Sequence, residues 1–428
     1  MYKLSKIIAG ALAQLYMRRF NPVIIGVTGN AGKTSAKEMI GAVVGKTKKV
    51  RIAKGNLNNE VGLPFNIISD DADEYYEKGG SLIFGIKTFF KALFGLLSSD
   101  YPEVLVLEYG ADSPGDIRRL ALAFKPHVSV LTTVGDVPVH VEFFKDADAL
   151  ADEKANLVRV LGAGDFAVLN HDDSRVLGMK SQTKARVSTY GFNNDAVVRA
   201  SDVEYVSNEE GQPLGVTFKL NHGPTFVPVR VDGSLGKSQA LTAAAAAAVG
   251  LALGMNLVEI SEALHGHHSP NGRLKILKGI KHSNIIDDTY NASPASTRLA
   301  LETLRDVPSL RKIAVLGDML ELGEYTEEAH KEIGRFAGEN VNVLVCVGAR
   351  AKFIAETASE KLSPDNVFTY TTSEDAKLKV QDLIREHDLI LVKGSQGIRM
   401  EKIVEEIVAE PQLKKDLLVR QSKKWTSK

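Results

Sequence analysis

The stretch Ile24-Ile25-Gly26-Val27-Thr28-Gly29-Asn30-Ala31-Gly32-Lys33-Thr34-Ser35 constrains this chain more than any other. An apolar, β-rich run stops at a glycine-containing turn and a helix-forming segment follows, so the pattern predicts strand, phosphate loop and helix. Glycines let backbone N–H groups close around phosphate oxygens at a helix N-terminus. Lys33 can reach the β/γ-phosphates of a nucleotide, and the Thr34 hydroxyl can ligate Mg²⁺. The spacing is the compact one: the longer loop would put glycine at position 27, which is Val27. Nucleotide contacts are therefore expected from Gly29, Asn30, Ala31, Gly32, Lys33, Thr34 and Ser35, with ATP and Mg²⁺ as cofactors.

A single phosphate loop occupies little of a chain of 428 residues, a length that predicts two or three domains. After residue 21, Val23–Thr28, Val104–Glu108, Val128–Thr132 and Phe166–Leu169 read as buried strands. Amphipathic stretches such as Ala147–Leu161 separate them, which argues for a mostly parallel sheet with helices on both faces. Residues 186–231 change character, and Val216–Leu220 with Phe226–Val231 suggest antiparallel ribbons. The run Ala243–Ala248 predicts a helix in close packing. Ser269-Pro270-Asn271-Gly272 breaks the pattern as a linker, and Asn284–Asp287, Ile313–Leu316, Val343–Val347 and Leu389–Val392 begin a second α/β series.

Lys+Arg and Asp+Glu both number 53, so nothing global points to nucleic acid. The single cysteine, Cys346, sits in an apolar strand and reads as a small buried hydrophobe. Disulfides and cysteine zinc sites are excluded, and a cytoplasmic location fits. No cleavable signal peptide is evident. Ile7–Leu12, among Lys3, Lys6, Arg18 and Arg19, is too short to span a bilayer. It reads as a helix docked on the protein, or alternatively as a membrane-surface helix. The apolar run Leu82–Leu97, carrying Lys87 and Lys91, poses the same choice between a core or subunit contact and peripheral membrane contact at the inner face.

Beyond the loop, Glu108 ends a strand where open α/β sheets bind ligands. His140 follows Thr132-Thr133-Val134-Gly135-Asp136, and Lys154 stands fourteen residues later in Ala151-Asp152-Glu153-Lys154. Taken singly, these are a strand-end charge, a loop histidine and a surface lysine. Together with Gly29–Ser35 they resemble the Mur ligase family. Four further stretches resemble its branch that adds D-alanyl-D-alanine to a UDP-muramoyl-tripeptide: Gly55–Pro64, Asp287–Ser296, Val315–Gly323 and Val392–Ser395. The likeness runs from about residue 22 to about residue 405.

That resemblance implies an α/β protein with a central P-loop parallel-sheet ATPase domain and a C-terminal Rossmann-like domain. The expected divisions are a basic helix over 1–20, an ATP-binding domain over 21–268 with a small β insertion at about 186–231, and a C-terminal domain over 269–428. It implies an ADP-forming amide ligase of peptidoglycan synthesis, monomeric, joining D-alanyl-D-alanine to a muramoyl-tripeptide precursor through an acyl phosphate. Lys33, Lys154, His140 and Glu108 match its catalytic positions. Lys154 matches a lysine that is carbamylated by CO₂, and a carbamate offers the hard oxygens Mg²⁺ prefers where an ammonium cannot ligate. One Mg²⁺ would be held by Thr34 and Glu108, a second near His140 and the Lys154 carbamate. Arg273 and Asp288 match nucleotide-side positions, and Asn59, Tyr290 and Asn291 substrate-side ones; His282 and His330 have no role in this scheme.

Two departures stand out. Leu235 and Gln239 occupy the places of a His and an Asn expected near adenine. Only about twenty residues precede the first strand, too few for the uridine-nucleotide domain the family carries there. The expectation is that another surface or chain binds that end, or that the acceptor carries no UDP. A ligase of the folylpolyglutamate synthase type is thus the alternative, and a nucleotide-binding or membrane-associated partner protein without turnover is the third. The amidating relative with a Cys₄ zinc ribbon is excluded by the cysteine count.

Overall fold

The computed structural model describes residues 2–55, 57–71, 82–135, 144–422 and 425. Nine strands form the first sheet: β1 (Val23–Thr28), β2 (Val50–Ile52), β3 (Val104–Glu108), β4 (Val128–Leu131), β5 (Phe166–Asn170), β6 (Arg186–Gly191), β7 (Val198–Ser207), β8 (Pro213–His222) and β9 (Thr225–Asp232). Their spatial order is β2-β3-β1-β4-β5-β6-β7-β8-β9. Every pairing from β2 through to β7 is parallel, and β7, β8 and β9 pair antiparallel. The antiparallel ribbon therefore begins at β7 and prolongs the main sheet, while β6 belongs to the parallel series. Chain order reverses where β3 and β4 flank β1, and the C-terminal ends of these three strands open onto one crevice.

Both faces of this sheet are covered, as near-continuous apolar strands require. The principal helices are α1 (Tyr2–Phe20), α2 (Lys33–Gly45), α3 (Gly62–Ile68), α4 (Leu82–Gly95), α5 (Asp116–Ala123), α6 (Ala147–Arg159) and α7 (Lys237–Ala252). Ala36, Met39, Ile40 and Val43 of α2 share one core with the alanines of α7 and the inner side chains of β1, β3 and β4. On the opposite face, Leu12, Ala13 and Tyr16 of α1 join Ile117 of α5, Leu150 of α6 and Ile24, Leu105 and Leu107 of the strands. The small side chains of α7 let α2, and with it the phosphate loop, lie close against it.

The second sheet contains β10 (Lys275–Lys278), β11 (Asn284–Asp288), β12 (Lys312–Gly317), β13 (Val343–Val347), β14 (Val367–Tyr370) and β15 (Leu389–Lys393), in the order β10-β11-β15-β12-β13-β14. Only its edge strand β10 runs antiparallel. Helix α8 (Pro294–Asp306) starts as its sequence dictates: the Ser293 hydroxyl caps the Ser296 N–H, and Pro294 takes the first turn. Cys346 is buried in β13, where burial pushes its thiol pKa up. At the junction of the sheets, Ser269 bonds both Ser234 (2.8 Å) and Gln239 (3.1 Å).

Candidate active site

The loop after β1 is fastened to the end of β4. The N–H groups of Asn30 and Ala31 donate to the Thr133 carbonyl at 2.7 and 3.3 Å, and Thr132 Oγ1 donates to the Ala31 carbonyl at 2.7 Å. Two positions in the loop require glycine. Gly29 has φ +147°, and a Cβ there would lie 1.9 Å from Thr132 Oγ1. Gly32, at φ +82°, turns the chain left-handed immediately before α2. No side chain caps the start of α2, so its N-terminal N–H groups and dipole are directed at whatever the loop encloses.

Two lysines converge on one oxygen of this loop. Lys33 Nζ donates to the Gly29 carbonyl at 2.8 Å, and Lys154 Nζ, projecting from α6, donates to the same carbonyl at 3.2 Å. Lys154 is buried beside the Lys33 charge, whereas Lys33 is half-buried. Burial first, and then the Lys33 charge, lower the Lys154 pKa from 10.5 to about 7 against the opposing pull of Glu153 and Glu108. Burial also lowers Lys33, with Glu108 raising it and Arg273 lowering it.

Glu108 closes β3 and is 4% exposed. Its Oε1 accepts from Asn58 Nδ2 at 3.2 Å, whereas its buried Oε2 has no hydrogen-bond partner among the described residues. A buried carboxylate oxygen left unpaired is costly, and a hard divalent cation is the partner such an oxygen takes. Thr34, next to Lys33 in the loop, offers a second oxygen; its Oγ1 accepts from Arg273 Nη2 at 3.1 Å. The donor set thus fits Mg²⁺ completed by phosphate oxygens. Among the described residues no group of three or more His, Cys, Asp or Glu could hold a metal by itself. His140 lies outside the described residues.

A cleft continues from the loop between the two sheets, lined by Ala31, Gly32, Ser35, Tyr190, Gln239 and Thr242 on one side and by Arg273, Asp288, Ser296 and Lys393 on the other. The Arg273 guanidinium lies 3.9 Å from the ring centroid of Tyr290. Asp288 Oδ2 accepts from Lys393 Nζ at 2.6 Å, and Oδ1 accepts from the Leu274 N–H at 3.3 Å. Lys393 also donates to the Asn291 carbonyl at 2.9 Å, and the Asn291 side chain accepts from the Gln396 N–H at 3.3 Å. Burial lowers the Lys393 pKa against the Asp288 charge. Of the two positions matched to adenine contacts, Gln239 lines the cleft, while Leu235 packs in the C-terminal core.

Asn59 is placed as a turn residue: its Oδ1 accepts from the N–H groups of Val61 (3.2 Å) and Gly62 (3.0 Å), setting the start of α3. Its neighbour Asn58 is the one that reaches Glu108. Asn58 and Lys393 are site residues to which sequence reasoning gave no role, although both stand in motifs it singled out. Their partners are 50 and 105 residues away along the chain. His330 is structural: Nδ1–H donates to the Thr326 carbonyl (2.6 Å) and Nε2 accepts from the Met319 N–H (3.0 Å). This fixes a neutral tautomer in a site where burial lowers the pKa.

Comparison with known proteins bears on this geometry. The Mur ligase middle-domain family model matches residues 89–250, and that of the Mur ligase glutamate ligase domain matches residues 272–396. The UDP-N-acetylmuramoyl-tripeptide–D-alanyl-D-alanine ligase of Bacillus subtilis is 30% identical over 403 residues, spanning 94% of this chain and 79% of the relative. A MurF ligase from Thermotoga maritima, solved in complex with ADP, superposes with a TM-score of 0.77 at 25% identity, covering 96% of this chain and 84% of that one. The folylpolyglutamate synthase of Mycobacterium tuberculosis shares the fold, with a TM-score of 0.66 at 17% identity and 94% of each chain covered.

Proposed function

Because this chain belongs to the Mur ligase family, we propose that it joins D-alanyl-D-alanine to a muramoyl-tripeptide precursor in peptidoglycan synthesis, cleaving ATP to ADP and phosphate. The observation that carries this reading is the meeting of Lys33, Lys154 and the unsatisfied Glu108 oxygen at the mouth of one phosphate loop.

In this mechanism the triphosphate lies over the N-terminus of α2, and the base enters the cleft beside Gln239, Thr242 and Tyr190. Lys33 shares the charge that spreads over the γ-phosphoryl oxygens during transfer. A carboxylate oxygen of the tripeptide bonds to phosphorus as the bond to the β-phosphate oxygen breaks, leaving ADP and an acyl phosphate. The amine of D-alanyl-D-alanine then attacks the acyl carbon and gives up a proton, and phosphate departs as the amide forms. Arg273 and Asp288 hold the nucleotide from the C-terminal side. Tyr290 and Asn291 would face the peptide substrates, and Asn59, its side-chain oxygen held by the turn, would offer them only its amide nitrogen. Closure of the two halves excludes the water that would hydrolyse the acyl phosphate.

Lys154 is suited to carbamylation, in which CO₂ carbon bonds the unprotonated amine and a proton is released. With a pKa of about 7, much of its amine is free at neutral pH; an ordinary lysine is free in roughly one molecule in two thousand. Thr34, Glu108, His140 and the Lys154 carbamate would hold Mg²⁺, which when bound neutralises charge on the phosphoryl oxygens.

The same reading divides the chain into a basic helix (1–20), an ATP-binding domain (21–268) and a C-terminal domain (269–428). It places a monomer in the cytoplasm, at the inner face of the membrane. Phosphate release is the test, measured with UDP-linked tripeptide, lipid-linked tripeptide and folate acceptors, each paired with D-alanyl-D-alanine or glutamate. Release that needs both a muramoyl-tripeptide and D-alanyl-D-alanine is expected. Release indifferent to both, or served only by folate with glutamate, overturns the reading.

A further inference from the structure

Helices α1 and α4 meet near their C-terminal ends on one face of the first sheet. Tyr16 Oη of α1 donates to the Ala92 carbonyl of α4 at 2.6 Å, and Arg19 Nε donates to the Leu96 carbonyl at 2.6 Å. Each helix buries one side and leaves the other apolar and exposed. On α4, Thr88 and Ala92 are buried, whereas Phe89, Phe90, Leu93, Phe94 and, just past its end, Leu97 are 37–79% exposed. At about 100° per residue these five fall in an arc of roughly 140°. On α1, Leu12, Ala13 and Tyr16 are buried while Ile7, Ile8 and Leu15 are exposed. Exposed apolar surface this contiguous marks an interaction site.

Charge says which kind. Neither helix contains an Asp or a Glu, and between them they carry Lys3, Lys6, Arg18, Arg19, Lys87 and Lys91. Lys6 is paired with Glu60 and Lys91 with Asp71, while Arg18 is exposed. A second copy seated on this face about a two-fold axis would set these two acid-free basic helices against themselves. An anionic lipid surface complements them and takes up the apolar arc. No helix among the described residues is long and apolar enough to cross a membrane, so contact of this kind would be peripheral.

We propose that α1 and α4 together form a surface that docks this chain onto an anionic lipid bilayer, its phenylalanines and leucines entering the acyl boundary and its basic side chains lying at headgroup level. This gives the membrane placement proposed above a physical means, and it is independent of the ligase chemistry.

Flotation of the full chain is compared on vesicles of equimolar phosphatidylcholine and phosphatidylglycerol and on phosphatidylcholine alone. Wild type is expected to float with the anionic vesicles, and much less with the zwitterionic ones. The bound fraction should fall about tenfold or more in Phe90→Asp/Phe94→Asp, and again in Arg18→Glu/Arg19→Glu. An unchanged thermal midpoint of the Phe90→Asp/Phe94→Asp variant shows that the fold is intact without recourse to any activity. Wild type that stays at the bottom of the gradient, or equal flotation of Phe90→Asp/Phe94→Asp, overturns the proposal. So does a concentration-dependent dimer, abolished by those substitutions in sedimentation velocity with no flotation, which would assign the face to a second copy.

Discussion

Lys154 holds its proton poorly because it is buried beside Lys33, and this gives the fold a pH dependence of known sign. Its folded pKa is about 7 against an ordinary value of 10.5. Below about pH 7 both folded and unfolded chains carry the proton, and the fold bears the full cost of a buried charge. Between about pH 7 and 10 the folded chain sheds it while the unfolded chain keeps it, so stability rises with pH. In CO₂-free buffer the thermal midpoint should climb over this range in wild type. Lys154→Met should flatten the climb, raise the midpoint at neutral pH and abolish phosphate release. Glu108 makes a second case. Glu108→Gln keeps the volume and the Asn58 bond but removes the charge, so kcat should fall about 10²–10³-fold with the thermal midpoint unchanged or higher. A steeper Mg²⁺ requirement in the same assay would distinguish lost ion binding from general damage.

At the level of elements, the C-terminal tail acts as a strap. Arg420 bonds the carbonyls of Thr289 and Tyr290 and pairs with Glu401, which is 1% exposed and also pairs with Arg399. The tail thereby braces the loop whose Tyr290 ring lies against Arg273. Arg420→Met should cost about 2 kcal/mol in denaturant unfolding, below the usual price of orphaning a buried charge because Arg399 remains. Little of this strap was legible in the sequence, since nothing near Arg420 names a partner more than a hundred residues away. Strands were legible because a parallel sheet buried on both faces leaves unbroken apolar runs, as in Val104–Leu107 and Val343–Val347. The phosphate loop was legible because the positive φ that Gly29 and Gly32 adopt is a local demand of the backbone. For α4 the composition was plain but the packing was not: an apolar run does not say which of its sides will find a neighbour. Asn58 and Lys393 went without roles for the related reason that each acts through a carboxylate on a distant strand.

Across the whole molecule, one guanidinium spans the two sheets. Arg273 follows the junction after Ser269–Gly272, stacks on Tyr290 and reaches Thr34 in the phosphate loop. Arg273→Ala should raise the KM for ATP and lower kcat together, because it removes both the proposed nucleotide contact and the tie between halves. Arg273→Lys should rescue little, since a point charge neither stacks nor forks as a guanidinium does; steady-state kinetics of the two variants decides this. The proposed carbamate would form on Lys154, whose amine shares the Gly29 carbonyl with Lys33. With Lys154 working as the proposed carbamate, its neutral amine would have to capture CO₂ first, and ligation would answer to dissolved inorganic carbon. On that proposal, phosphate release should slow in degassed buffer and recover on adding bicarbonate, and a cell starved of carbon dioxide would slow this ligation while its ATP was still plentiful.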